Sequence, residues 1–177
     1  VADRDAVDRL NRVDEAVTVA TLAAYKPVVE GEMIATVKII PFGVAGGARD
    51  KAMAEAVRVQ PVIRVAPYTI KKVGIVSTLL PGLAAKVIDK TLRITETRIA
   101  PAGARIVMEK RVPHEQAALA GAIAQVRDAG AELVIVFGAS AIADRRDVIP
   151  MAIEIAGGEI EHFGMPVDPG NLMLVGR

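Results

Sequence analysis

Two kinds of hydrophobic spacing alternate along this chain. In the first third, EAVTVATLA (Glu15 to Ala23) and MIATVKIIPF (Met33 to Phe42) are β-branched runs separated by YKPVVEGE, whose Pro27 and Gly31 suit a connection between strands. The spacing predicts a short helix from Ala48 to Val57 and a further strand at PVIRVAP, Pro61 to Pro67. The opening DRDAVDRLNRVD reads as a helix capped by Asp3, with Val7 and Leu10 on one face. Residues 1–68 therefore form a small α+β unit, and no motif in it attaches to chemistry.

From residue 69 onward strand and helix patterns alternate. VGIVST (Val73 to Thr78) is a buried strand, followed by Ile88, Thr91, Leu92, Thr95 and Ile99 at helical spacing. ARIVMEKRV is the next strand, and HEQAALAGAIAQVRDAG carries Leu119, Ile123 and Val126 on one helical face before Gly130 stops the helix. ELVIVFG is apolar from Leu133 to Phe137 without polar alternation, which predicts a strand covered by helices on both faces. DVIPMAIEIAGG reads as a helix, EIEHFG as a fourth strand and NLMLVG as a fifth. Residues 69–177 are thus expected to be an α/β domain of three layers, α/β/α, around a mainly parallel sheet with right-handed crossovers.

Composition narrows what such a domain does. Hydrophobic residues make up 52% of the 177 residues but aromatics only 3%, so the core is built from Val, Ile, Leu and Ala and no base-stacking platform is available. With 22 basic and 21 acidic residues the net charge is +1, which argues against a nucleic-acid partner. The absence of cysteine excludes disulfides, thiolate metal sites and a Cys nucleophile, and fits a cytoplasmic location. No apolar stretch spans a bilayer and no signal peptide is evident, so no membrane association is expected. The chain starts with Val and ends in LMLVGR, which reads as a piece of a longer polypeptide.

In open α/β sheets, ligands bind at the carboxyl ends of the strands. Three segments fall there: STLLPG, GASAIADRRD and GMPVDPGN. In the second, Gly138, Ala139 and Ser140 are small enough to let a ligand approach the backbone, and the helix that follows offers N–H groups to an anion. Arg145 and Arg146 suit bidentate phosphate contacts. Asp147 stands where a helix N-cap would stand, with Pro150 in the first turn, so it is either that cap or a ligand-binding acid. His114 and His162 are the only histidines and lack the further ligands of a zinc site; His114 is expected to begin a helix and His162 to lie in a strand. STLLPGLAAK carries no dinucleotide fingerprint and no Walker loop.

GASAIADRRDVIPMAI resembles the molybdopterin-binding loop of the molybdenum-cofactor biosynthesis family, the fold shared by molybdopterin adenylyltransferases and molybdopterin molybdotransferases. In that family a small-residue loop is followed by an Asp that opens a helix, often as Arg-Asp-x-x-Pro, and Arg146, Asp147 and Pro150 match this form. VIDKTLRITETRIAPAGARIV is similar to the family's Asp-(Ser or Thr) helix start and the Ala-Gly-Ala before the next strand, and MPVDPGNLMLVG is similar to its Met-x-Pro-Gly segment. The resemblance runs in register from Lys71 to Arg177.

It implies a molybdopterin pocket made by Asp89 and Thr91, the loop Gly138, Ala139 and Ser140, the basic pair Arg145 and Arg146, Asp147, and the last loop at Pro169 and Gly170. Ser140 and the loop N–H groups suit phosphate oxygens, and Asp147 suits pterin N–H groups or Mg²⁺. It also implies a nucleotidyltransferase domain in the full-length chain and a homo-oligomer. The sequence departs from the family at three places. Ala139 replaces a loop glycine, Thr78-Leu79-Leu80-Pro81 replaces Thr-Gly-Asp-Glu and so lacks two carboxylates, and Asn171 replaces a Lys. These losses point to a domain that holds or presents the pterin without transforming it. The alternatives are an active nucleotidyl- or molybdo-transferase completed by other segments, and a non-binding oligomerisation scaffold.

Overall fold

The computed structural model describes residues 1–58, 61–82 and 85–177. They fold as two compact units, Val1–Pro67 and Tyr68–Arg177.

In the first unit, α1 (Arg4–Asn11) starts at Asp3, whose carboxylate accepts the Ala6 N–H at 2.9 Å, and it buries Ala6 and Leu10. β1 (Val17–Thr21) and β2 (Ala35–Ile39) pair antiparallel with Val19 opposite Val37. α2 (Gly46–Arg58) is tied to α1 by Arg9 Nε and Glu55 Oε1, 2.7 Å apart. The strand expected over Pro61–Pro67 does not form. Only the bridge between Ala2 and Ile63 remains, because prolines at both ends remove ladder donors and leave a segment too short to pair further.

The second unit is α/β. β3 (Lys72–Leu79) lies at the centre of a parallel sheet, between β4 (Arg105–Pro113) and β5 (Leu133–Phe137). Val73 to Thr78 are all buried, as the continuous apolar run VGIV requires of a central strand. The first crossover helix is α3 (Ala85–Ile99), extended by a 3₁₀ turn at Ala100–Ala102; α4 (Gln116–Asp128) and α5 (Val148–Ile155) follow β4 and β5. No helix among the described residues is long and apolar enough to cross a membrane.

Alternation along the strands sorts the helices into layers. Val76 joins Leu119 and Val126 of α4 and Ile149 and Ala152 of α5 in one buried cluster, against which Met108, Val112, Val134 and Val136 also pack. Residues of odd number in β4 point the other way, and there Arg111 meets Asp89 of α3 at 2.7 Å. The result is three layers, with α4 and α5 on one face and α3 on the other. Gly74 makes this packing possible, since a Cβ at that position would overlap Val126 Cγ1.

Two sequence expectations need correction. β5 is not covered on both sides: it is an edge strand, half-buried, with Leu133 41% exposed. Its apolar residues face the α4–α5 layer and a cleft along its outer edge, and an apolar run alone does not distinguish those surroundings from a sheet centre. The last two strands do not extend the parallel sheet either. β6 (Ile160–Phe163) and β7 (Leu174–Gly176) pair antiparallel with each other, because their connection, residues 164–173, is shorter than the roughly dozen residues a parallel crossover needs.

Candidate ligand site

The carboxyl ends of β3, β4 and β5 meet at one buried hydroxyl. Thr78, the seventh residue of β3 and 1% exposed, has its Oγ1 2.9 Å from His114 Nδ1 and accepts the Ala139 N–H at 2.8 Å. His114, just past β4, is held in turn by its own N–H on the Leu79 carbonyl at 3.0 Å. α3 leaves β3 on one face while α4 and α5 leave its two neighbours on the other, so Thr78 sits at the switch point where an open parallel sheet makes its crevice.

Beside it, the outer edge of β5 borders a cleft of about 730 Å³. One wall is β5 with Gly138, Ser140, Ala141 and Ile142; the opposite wall is Leu172 to Arg177, including β7; Ile123 of α4 and Ile149 and Ile153 of α5 contribute apolar side chains. β5 pairs with β3 alone and β7 with β6 alone, so each presents an unpaired edge of main-chain donors and acceptors among the described strands. Arg127, Glu132, Arg177 and Ser140 add polar groups. The volume and the mix of apolar walls with a few polar groups are those of a small-molecule site.

Gly138 fixes the corner where β5 enters this cleft. A Cβ there would lie 2.6 Å from Ile149 Cδ1 and 2.9 Å from the Ser140 carbonyl oxygen, so only glycine lets the strand end turn against α5.

The loop ahead of α5 satisfies itself. Asp147 has extended N-cap backbone and its carbonyl accepts the Met151 N–H at 3.1 Å, but its carboxylate makes no cap bond within the helix. It turns back to accept the N–H groups of Ala143 and Asp144, the latter at 3.1 Å. Asp144 in turn accepts the Arg146 N–H at 2.6 Å and pairs with its guanidinium at 3.3 Å. That backbone N–H first, and then the guanidinium, hold the Asp144 carboxyl below its ordinary range, while Asp144 raises Arg146. The N–H pair of Ala143 and Asp144 thus already binds an anion, the chain's own carboxylate. Both carboxylates are thus engaged with backbone donors, and no group of three or more metal-binding side chains assembles among the described residues.

Of the residues named from sequence, Gly138 and Ser140 line the cleft, while Ala139, Arg145, Arg146 and Asp147 lie in the same loop outside that lining. Ala139 turns its N–H to Thr78 rather than to a ligand. Pro169 and Gly170 are in the β6–β7 connection, which brings Leu172 and Met173 to the cleft instead. Asp89 and Thr91 stand in the second turn of α3. Asp89 is paired with Arg111, and Thr91 donates to the Val87 carbonyl at 3.0 Å. Both are on the β4 side of the sheet, across β3 from the cleft.

Sequence reasoning gave no site role to Thr78, to His114, which it expected to begin a helix, to Arg127 or to the wall formed by β7. The signal for the first two was present, namely a hydroxyl ending an apolar strand and a histidine directly after the next one. His162 is exposed on β6. Searches against family models, curated proteins and solved structures gave no match for this chain.

Proposed function

We propose that Tyr68–Arg177 is a molybdopterin-binding domain acting in molybdenum cofactor biosynthesis, and that it holds the pterin rather than transforming it. One observation carries the reading: the loop whose sequence resembles the family's molybdopterin-binding loop leaves the carboxyl end of β5 with Gly138 and Ser140 on the wall of the cleft. The chemistry of the cleft suits that ligand. A flat ring system gains from apolar walls such as Ile123, Val136 and Ile153, its ring N–H and carbonyl groups match the unpaired main-chain edge of β5, and Arg127 and Arg177 are cations for a terminal phosphate. Binding without transformation agrees with a loop whose acids are committed to backbone donors.

The test is anaerobic titration calorimetry of molybdopterin into wild type and into Ser140→Trp. Ser140 is exposed on the cleft wall, so the added indole fills the cleft without entering the core. Saturable binding by wild type, lost in the variant, is expected; no binding by a folded wild type, or equal binding by both, refutes the reading.

A further inference from the structure

We propose that Thr78, itself held by His114, is the positioning residue of the Gly138–Ser140 rim of the cleft; its consequence for ligand binding rests on the reading of that cleft as a molybdopterin site. Hydrogen-bond counting at one hydroxyl carries the proposal. Thr78 Oγ1 uses a lone pair on the Ala139 N–H at 2.8 Å and has one proton to give. The Phe137 carbonyl is 3.5 Å away, at the limit of a hydrogen bond, whereas His114 Nδ1 is 2.9 Å away. The link to Nδ1 is therefore the stronger one, donated by the hydroxyl or by the ring according to the tautomer, and it holds the ring in a single tautomer. The loops leaving β4 and β5 are in this way joined across β3 through a side chain that is 1% exposed. Fixing the Ala139 N–H toward the sheet orients the peptide between Gly138 and Ala139, and with it the two residues on either side of Ala139 that line the cleft.

Thr78→Val removes the hydroxyl at constant shape, and Thr78→Ser restores it without the methyl. In Thr78→Val the expected results are at least tenfold faster amide exchange at Ala139, loss of the single His114 tautomer in ¹⁵N spectra, displaced amide shifts at Gly138 and Ser140, and a Kd for molybdopterin raised about tenfold, the scale of one net hydrogen bond. Thr78→Ser is expected to return all four toward wild type. If Thr78→Val does not fold, His114→Phe, which removes the ring nitrogen partner from a half-buried position, carries the same expectations for Gly138, Ala139 and Ser140. The proposal is overturned if Thr78→Ser behaves like Thr78→Val, if the exchange and tautomer of the Val variant match wild type, or if the rim shifts move while Kd does not. Should wild type bind no molybdopterin, the functional reading fails by itself, and exchange, tautomer and rim shifts still decide whether Thr78 positions the rim.

Discussion

Replacing Gly138 with alanine tests how the cleft wall is built, because the new Cβ meets two neighbours of different stiffness. Against Ile149 Cδ1 it would stand at 2.6 Å, about 1 Å inside ordinary carbon–carbon contact, and against the Ser140 carbonyl oxygen at 2.9 Å. The Ser140 carbonyl is backbone and cannot swing aside, whereas Ile149, 6% exposed in the α4–α5 cluster, also borders the cleft and can move its terminal methyl only by repacking there. Overpacking of this kind costs about 1–3 kcal/mol. Ile149→Val deletes the clashing methyl and by itself costs about 0.5–1.5 kcal/mol. The two substitutions are therefore expected to couple favourably by roughly 1 kcal/mol, with the double variant more stable than the sum of the singles. The part of the penalty owed to the Ser140 carbonyl is not rescued. Urea unfolding followed by circular dichroism, compared at constant m, gives the four free energies. Additivity within about 0.3 kcal/mol, or a Gly138→Ala variant as stable as wild type, refutes the close approach of β5 and α5 argued above.

Gly74→Ala should destabilise the second unit by about 1–3 kcal/mol in the same assay, because its Cβ would overlap the fully buried Val126 side chain, and Val126→Ala should relieve part of that loss. The Glu132 carboxyl is held below its ordinary value by the Lys71 and then the Lys72 backbone N–H groups. A carboxyl with a depressed folded-state pKa contributes stability above its unfolded pKa, about 4.3, and that contribution fades as pH falls through the folded value. Glu132→Gln should therefore lower Tm at pH 7 and have a diminishing effect toward pH 3, and a difference independent of pH contradicts the argument. Hydrogen exchange should be slowest at β3, paired on both sides, and fast at those β5 amides that point away from it; uniform protection across β5 contradicts its assignment as an edge.

The sequence was most legible where a pattern has one physical solution. VGIV reads as a buried strand because a run apolar on both faces is unfavourable in water, and Leu119 with Val126 marks the buried face of α4 because their spacing matches the helical period. LVIVF was less legible, since a strand bordering a cleft and a layer of helices has the same composition as one buried in a sheet. The pairing of β6 with β7 follows from connection length rather than from the strands themselves. At the site, Gly138 and Ser140 could be named from the rule that ligands meet the carboxyl ends of strands. The direction of the Asp147 carboxylate could not, because an N-cap acid that closes its helix and one that folds back on Ala143 and Asp144 read identically in one dimension. Asp89 matched a motif, but it lies in α3 and its partner Arg111 on β4, and such a pairing is set by tertiary packing alone.

The most direct test of the central claim is an anaerobic titration of molybdopterin into the ¹⁵N-labelled protein, followed amide by amide. Binding in the cleft is expected to move Gly138, Ser140, Val134, Val136 and Leu172 to Gly176 together in one saturable transition. Shifts confined to the Arg145–Asp147 loop and to Asp89, or no shifts at all in a folded protein, contradict it.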